Sequence, residues 1–390
     1  MKKLLAILLL LCMMISSASA VTWDTEDGAT VLLAVGGSFV YARDSAGVLR
    51  VWGDNQFGQL GKGHVKQKLE VVEFQTKSTE LDVSQLLDIV TASDYSFMLM
   101  ADGSVWGVGN NSYLPLTVKS GKYSTHVRTN LPETPIAMAT GFGHAMMLTE
   151  SGEVYAWGRN SEYQVGNGKR KHVQEPYKVD VHNIVQIACG GKFSIALDAD
   201  GQLWGWGDNE HFQLSPDKKM TRIQTPTKID TGDIDIAYID ACGGSIVLLD
   251  TEGTLWTWGR NDFHQLGYNT KGKPTKEPQA VPLPLPVTYV AAYSSQTYAI
   301  LEDGSLWSWG NNSYGQLGQG FRSSSTEGVL PAKVWDSNVV LVQGGSLFCV
   351  AMLEDGTVLT AGISKFGQQG EGTSQSKYTL EPNGMDLIVD

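Results

Sequence analysis

Cysteine is scarce in this chain: there are four in 390 residues. Cys12 lies in an apolar N-terminal run, leaving Cys189, Cys242 and Cys349, too few for a scaffold held by disulfides. Cys189 and Cys242 sit in matching Ala-Cys-Gly-Gly contexts and read as buried free thiols. The seven histidines are scattered, without H-E-x-x-H or H-x-H spacing, so no metal site is expected. Basic residues are outnumbered, 29 Lys and Arg against 41 Asp and Glu, which disfavours nucleic acid and anionic lipid as partners. The densest basic cluster, Lys169-Arg170-Lys171, reads as a solvated loop. After residue 20 no segment approaches the roughly 20 apolar residues of a membrane helix, and no helical periodicity appears.

The first twenty residues stand apart. Lys2 and Lys3 precede an apolar run from Leu4 to Ile15, and small residues lead to Ala18-Ser19-Ala20. That order is the pattern of a secretory signal peptide cleaved after Ala20. Its short, Lys-led form is bacterial in style, and it predicts a secreted, extracellular or cell-surface protein. Loss of Lys2 and Lys3 takes the net charge from −12 to −14.

What the rest has in abundance is glycine, 44 residues, in a regular pattern. Seven times one glycine is followed six residues later by another, usually after Trp: Gly47/Gly53, Gly103/Gly109, Gly152/Gly158, Gly201/Gly207, Gly253/Gly259, Gly304/Gly310 and Gly356/Gly362. Successive second glycines are 49 to 56 residues apart. A period of that length marks a repeat architecture. In the fourth copy, Ile184–Cys189 alternates and is β-branched, Gly190-Gly191 turns, Ser194–Leu197 forms a second strand, and Asp200-Gly201 signals a hairpin read as a two-residue primed turn. Leu203–Gly207 is the third strand, and Pro226–Asp230 a fourth, where Pro suits an edge. Four short antiparallel strands, seven times over, predict an all-β, seven-bladed β-propeller filling residues 21–390 as one domain. Glu381 to Val389 matches the fourth-strand segments. Nine of the eleven Trp fall in or beside third strands, and a recurring Trp reads as core.

After the third strand the chain reads G-x-N-x-x-x-Q-L-G, as in Gly53-Asp54-Asn55 to Gln59-Leu60-Gly61 and Gly310-Asn311-Asn312 to Gln316-Leu317-Gly318. Copies three and five keep it nearly intact. The second has Pro115-Leu116 for Gln-Leu, the fourth ends Gln213-Leu214-Ser215, and the seventh has Ser364 for Asn and Gln369 for Leu. With D-G-x-L-W-x-W-G, this resembles the regulator of chromosome condensation repeat family. Kelch propellers share the repeat length and Gly doublets but not this run. The resemblance implies a rigid ring with loops on two faces. Its members include a nuclear nucleotide-exchange factor for a small GTPase and secreted bacterial propellers, among them an exported β-lactamase inhibitor. The leader and the acidic charge argue against the nuclear role.

Apparent catalytic motifs fail on inspection. Gly267 to Lys273 begins like a P-loop, but Pro274 stands where Ser or Thr is required. Asp198-Ala199-Asp200-Gly201 begins like a calcium loop without its closing Glu. No G-x-S-x-G elbow is present. No enzyme activity and no cofactor are expected. The expected function is a monomeric, exported scaffold that binds another protein, as inhibitor or adaptor; an envelope adhesion module or an exchange-factor-like regulator are the alternatives. Aromatic residues just past the exit-motif Asn are the candidate anchors: Phe57, Tyr113, Tyr163, Phe212, Phe263, His264, Tyr314 and Phe366. The competing reading packs them into the blade edges.

Overall fold

The computed structural model describes residues 20–25, 28–324 and 326–389. The leader lies almost wholly outside the described residues. Seven antiparallel sheets follow one another, each an up-and-down meander, six of four strands and the first of five. The strands of one blade are a to d, from the channel outward.

Blade four shows why the sequence folds this way. Its strands are Ile184–Cys189, Phe193–Asp198, Leu203–Asp208 and Arg222–Ile229. The two inner hairpins are apolar on both faces because neighbouring blades cover both. The fourth strand alternates and faces solvent on its outer side. Strands d carry Pro176, Pro226, Pro278, Pro331 and Pro382 in blades three to seven, blunting edges that would otherwise offer free N–H groups. The b–c turn is not the two-residue form. Asp198 N donates to Gln202 O (3.1 Å) and Gly201 N to Asp198 O (3.0 Å), enclosing three residues with Gly201 at φ 81°. The Asp198 carboxylate accepts from Asp200 N and Gln202 N, so the acid before the turn is part of its wiring. Gly207, at φ 111°, has its missing Cβ 2.6 Å from Phe193 Cα and 2.7 Å from Lys192 O, so no side chain fits there.

One hydrogen bond recurs at five of the seven blade junctions. The strand-c indole Nε1 donates to the carbonyl at the Gln position of the preceding blade's exit loop: Trp206 to Gln164 (2.9 Å), Trp258 to Gln213 (2.9 Å), Trp309 to Gln265 (3.0 Å), Trp157 to Pro115 (2.6 Å). Trp52 to Gln368 (2.8 Å) makes the same bond between blades one and seven and so closes the ring. All five indoles are fully buried. The C-terminal segment adds to that closure: Leu387 is buried against blade one, Ser45 N donates to Leu387 O (2.8 Å), and the Ser45 hydroxyl exchanges hydrogen bonds with Val389.

One strand has no counterpart in the repeat. Val21–Asp24 pairs with the inner edge of Thr30–Val35, so it lies inside the central channel. Ala20 N there donates to Ile89 O (2.7 Å) and Asp88 Oδ1 (3.1 Å) of blade two. At the other end the a–b turns bond to one another, as in Gly191 N to Gly243 O (2.8 Å) and Ser346 N to Gly37 O (2.8 Å). Ser93 Oγ and the Tyr293 hydroxyl stand 3.5 Å apart between blades two and six. The space left at that mouth is about 40 Å³, too small for an organic ligand there. Cys189 and Cys242 line it as free thiols, and burial pushes both up from their ordinary range.

Candidate functional site

A meander places its a–b turns and c–d exit loops on one face of the ring and its b–c turns and d–a connections on the other. The exit loops are held by their own side chains. In blade three, Asn160 Oδ1 accepts from Val165 N (3.0 Å), its Nδ2 donates to Lys169 O (2.7 Å), and Gln164 Oε1 accepts from Glu162 N (2.8 Å). Asn55, Asn209, Asn261 and Asn312 repeat the first bond. Blade two keeps it from Asn111 despite losing Gln, and in blade seven the Ser364 hydroxyl substitutes at 3.4 Å. The recurring amides are therefore scaffold.

The eight aromatic anchors occupy two structural positions. Phe57, Tyr113, Phe263, Tyr314 and Phe366 stand two residues after the Asn or Ser. Tyr163, Phe212 and His264 stand three after it, at φ 66°, 64° and 58°, where blades one, six and seven have glycine. Most are under cations: Lys122 over Phe57 (4.5 Å), Arg159 over Tyr113 (5.0 Å), Arg170 over Tyr163 (5.8 Å), Lys276 over Phe212 (4.9 Å) and Lys365 over Phe366 (5.4 Å). Arg322 lies 5.7 Å from the Tyr314 ring and 5.6 Å from that of Tyr378. Only Tyr113, at 38%, and Tyr314, at 41%, are exposed; the other six are half-buried.

Five of the exposed rings gather in two patches. Between blades two and three, Tyr113, Phe142 and Arg159 border a hollow of about 150 Å³ with Asp94 and Asn110 in its wall. Asn110 Nδ2 donates to Asp94 Oδ2 at 2.7 Å, and burial raises the Asp94 carboxyl above its ordinary value. Phe142 is exposed on its a–b turn. Sequence reasoning passed over it, although the signal was there: it replaces the small residue found in the equivalent turns, as in Gly36-Gly37 and Gly190-Gly191. The second patch, on blades six and seven, joins Tyr314, Phe321, Arg322 and Tyr378; Phe321 and Tyr378 were also missed. Phe212 instead lines a groove of about 880 Å³ between blades four and five, walled by Ile223, Trp256 and Trp258. Among the described residues no three His, Cys, Asp or Glu side chains are placed to hold a metal ion, and no helix is long and apolar enough to cross a membrane.

Residues 135–388 match the family model described as RCC1-like domain. The chain belongs to the RCC1-like domain family. Among curated proteins it is similar to the E3 ubiquitin-protein ligase HERC2 of Homo sapiens, 35% identical over 144 residues, 35% of this chain and 3% of the relative. It is similar also to the Ultraviolet-B receptor UVR8 of Arabidopsis thaliana, 35% identical over 138 residues, 34% of this chain and 30% of that one. The match thus spans less than a third of either relative, and both are eukaryotic proteins. Among solved structures, Prp20p of Saccharomyces cerevisiae superimposes with a TM-score of 0.71 at 23% identity, covering 82% of each chain. Human WBSCR16 gives 0.69 at 25% identity, covering 80% of this chain and 83% of that one. The seven-bladed reading of the sequence and its family resemblance both hold.

Proposed function

We propose that this RCC1-like propeller is an exported, non-enzymatic, monomeric scaffold that binds another protein, as inhibitor or adaptor, through its exit-loop face. The observation that carries this reading is the patch of Tyr113, Phe142 and Arg159 around a small polar hollow. Tyr and Arg together on a rigid surface are the usual anchors of protein interfaces, and loops on a rigid ring suit that role. Export rests on the leader pattern of residues 1–20, and cleavage there leaves Val21–Asp24 as the first strand. The structurally similar Prp20p binds Gsp1p and histones; regulation of a small GTPase is the second reading for this chain, and the leader disfavours it.

The test is capture of the binding partner from secreted and surface proteins of the source organism, followed by affinity measurement. Tyr113→Ala with Phe142→Ala is expected to weaken binding at least about tenfold, the size of a modest hot spot, with the melting curve unchanged. Retained affinity would move the site elsewhere. N-terminal sequencing of the exported protein should begin at Val21.

A further inference from the structure

The loops of the two faces differ in charge far more than the chain's composition requires. The seven b–c turns hold ten carboxylates and no Lys or Arg, and the d–a connections add eight carboxylates against Lys77 alone. The exit loops reverse the balance, with fourteen Lys and Arg against seven carboxylates, and the a–b turns contribute one of each sign. Several of those seven are already spent locally: Glu162 pairs with Arg222 and Arg170, Asp262 with Arg260, and Glu371 with Lys377. The ring is therefore an electric dipole along its axis, acidic on the hairpin face and basic on the exit-loop face, although the whole chain is acidic. The exposed rings Tyr113, Phe142, Tyr314 and Phe321 are all on the basic face.

We infer that the exit-loop face docks a protein whose own surface is acidic, and that the hairpin face turns such a partner away and so orients its approach. This rests on the protein-binding reading and adds the partner's charge to it. An acidic partner meets the excess cations of the loops, while its apolar side chains find the exposed rings of the two patches. Fields of this kind act on encounter more than on final affinity. Nucleic acid is a poorer fit: the cations are interleaved with carboxylates, and the opposite face and net charge repel phosphate.

The test uses the full chain and a monomeric fluorescent protein in three resurfaced forms: strongly acidic, near neutral and strongly basic. Carbodiimide coupling joins probe carboxylates to the nearest lysines, and mass spectrometry maps them. The acidic form should couple to exit-loop lysines, Lys169 and Lys171 among them, and leave Lys77, Lys178 and Lys333 untouched. Its association rate should fall at least about tenfold between low and high salt, as steered encounters do. Arg159→Glu with Lys171→Glu should reduce the rate similarly, whereas Asp200→Lys with Glu252→Lys should leave it unchanged or raise it. Coupling through the hairpin-face lysines, or an equal rate for the basic form, overturns the inference. Stronger retention of a DNA duplex or of phosphatidylserine vesicles than of the acidic form overturns the partner class. If the Tyr113 and Phe142 substitutions weaken the captured partner while the charge reversals leave its association rate alone, protein binding stands and the charge inference falls. If neither pair of substitutions affects the captured partner, the exit-loop face is not its site, and both the placement of the site and the charge inference fall.

Discussion

The hydroxyl of Tyr41 donates to the carbonyl of Gln59 at 2.8 Å, within blade one. In five other blades the acceptor at this place is served by a tryptophan from the following blade, but blade two has Val108 at the Trp position. The same substitution occurs once more. Blade seven has Ala361 at the Trp position, and the Tyr298 hydroxyl of blade six donates to Gln316 O at 2.8 Å. The corresponding strand-b residue elsewhere is Phe97, Met146, Ile195, Val247 or Val350. Tyrosine stands at this place only where the neighbouring indole is missing.

Tyr41→Phe and Tyr298→Phe should therefore each cost about 1–3 kcal/mol, the penalty for a buried carbonyl left without its donor. Chemical denaturation measures it. Phe97→Leu, which removes no hydrogen bond, is the comparison. Equal losses for all three would mean the hydroxyls contribute nothing.

Trp258 is buried between blades four and five and bonds across them, whereas Trp256 two residues earlier is half-buried. Trp258→Ala should cost on the order of 3–5 kcal/mol and Trp256→Ala clearly less. A variant at 258 as stable as the parent would refute the packing role.

Two histidines are fully buried, His126 beside Gly61 and Phe74, and His144 with Nε2 3.1 Å from Ser194 Oγ. Burial lowers both from the ordinary 6.5 to about 3. The unfolded chain thus binds protons that the folded one refuses. Their contribution is intact above about pH 6.5 and is lost progressively as pH falls toward 3. Melting temperatures at pH 7, 5 and 4 should fall less in His126→Leu than in the parent. Parallel slopes would exclude His126 as a source of acid lability.

Closure is tested at the C-terminal end. Leu387 is fully buried against blade one, so Leu387→Ala should cost about 2–5 kcal/mol. Deletion of Met385 to Asp390 should lower the melting temperature by several degrees. An unchanged melting curve for both would place closure in the other contacts of blades one and seven, such as Trp52–Gln368 and Gly37–Ser346.

The sequence by itself determined the blades. Strand alternation, the glycine pairs and the Asn and Gln of the exit loops act within one repeat, through backbone conformation and hydrogen bonds between residues close in the chain. Seven similar copies spell the same local solution, so the count and the strand order are legible. What only the tertiary structure decided depends on contacts between different copies. Whether a loop ring is exposed, as Tyr113 is, or half-covered, as Phe57 is under Lys122, depends on the neighbouring blade. Val21–Asp24 was invisible as a channel strand because no other copy has a counterpart to it, and the bonds of Ala20 N to blade two form only once the two blades lie side by side. Phe142 and the Tyr41 substitution are departures from the repeat, and their meaning appears only against the residues they face. The charge dipole was present in the composition but had no direction until the meander sent the acidic turns to one face and the basic loops to the other.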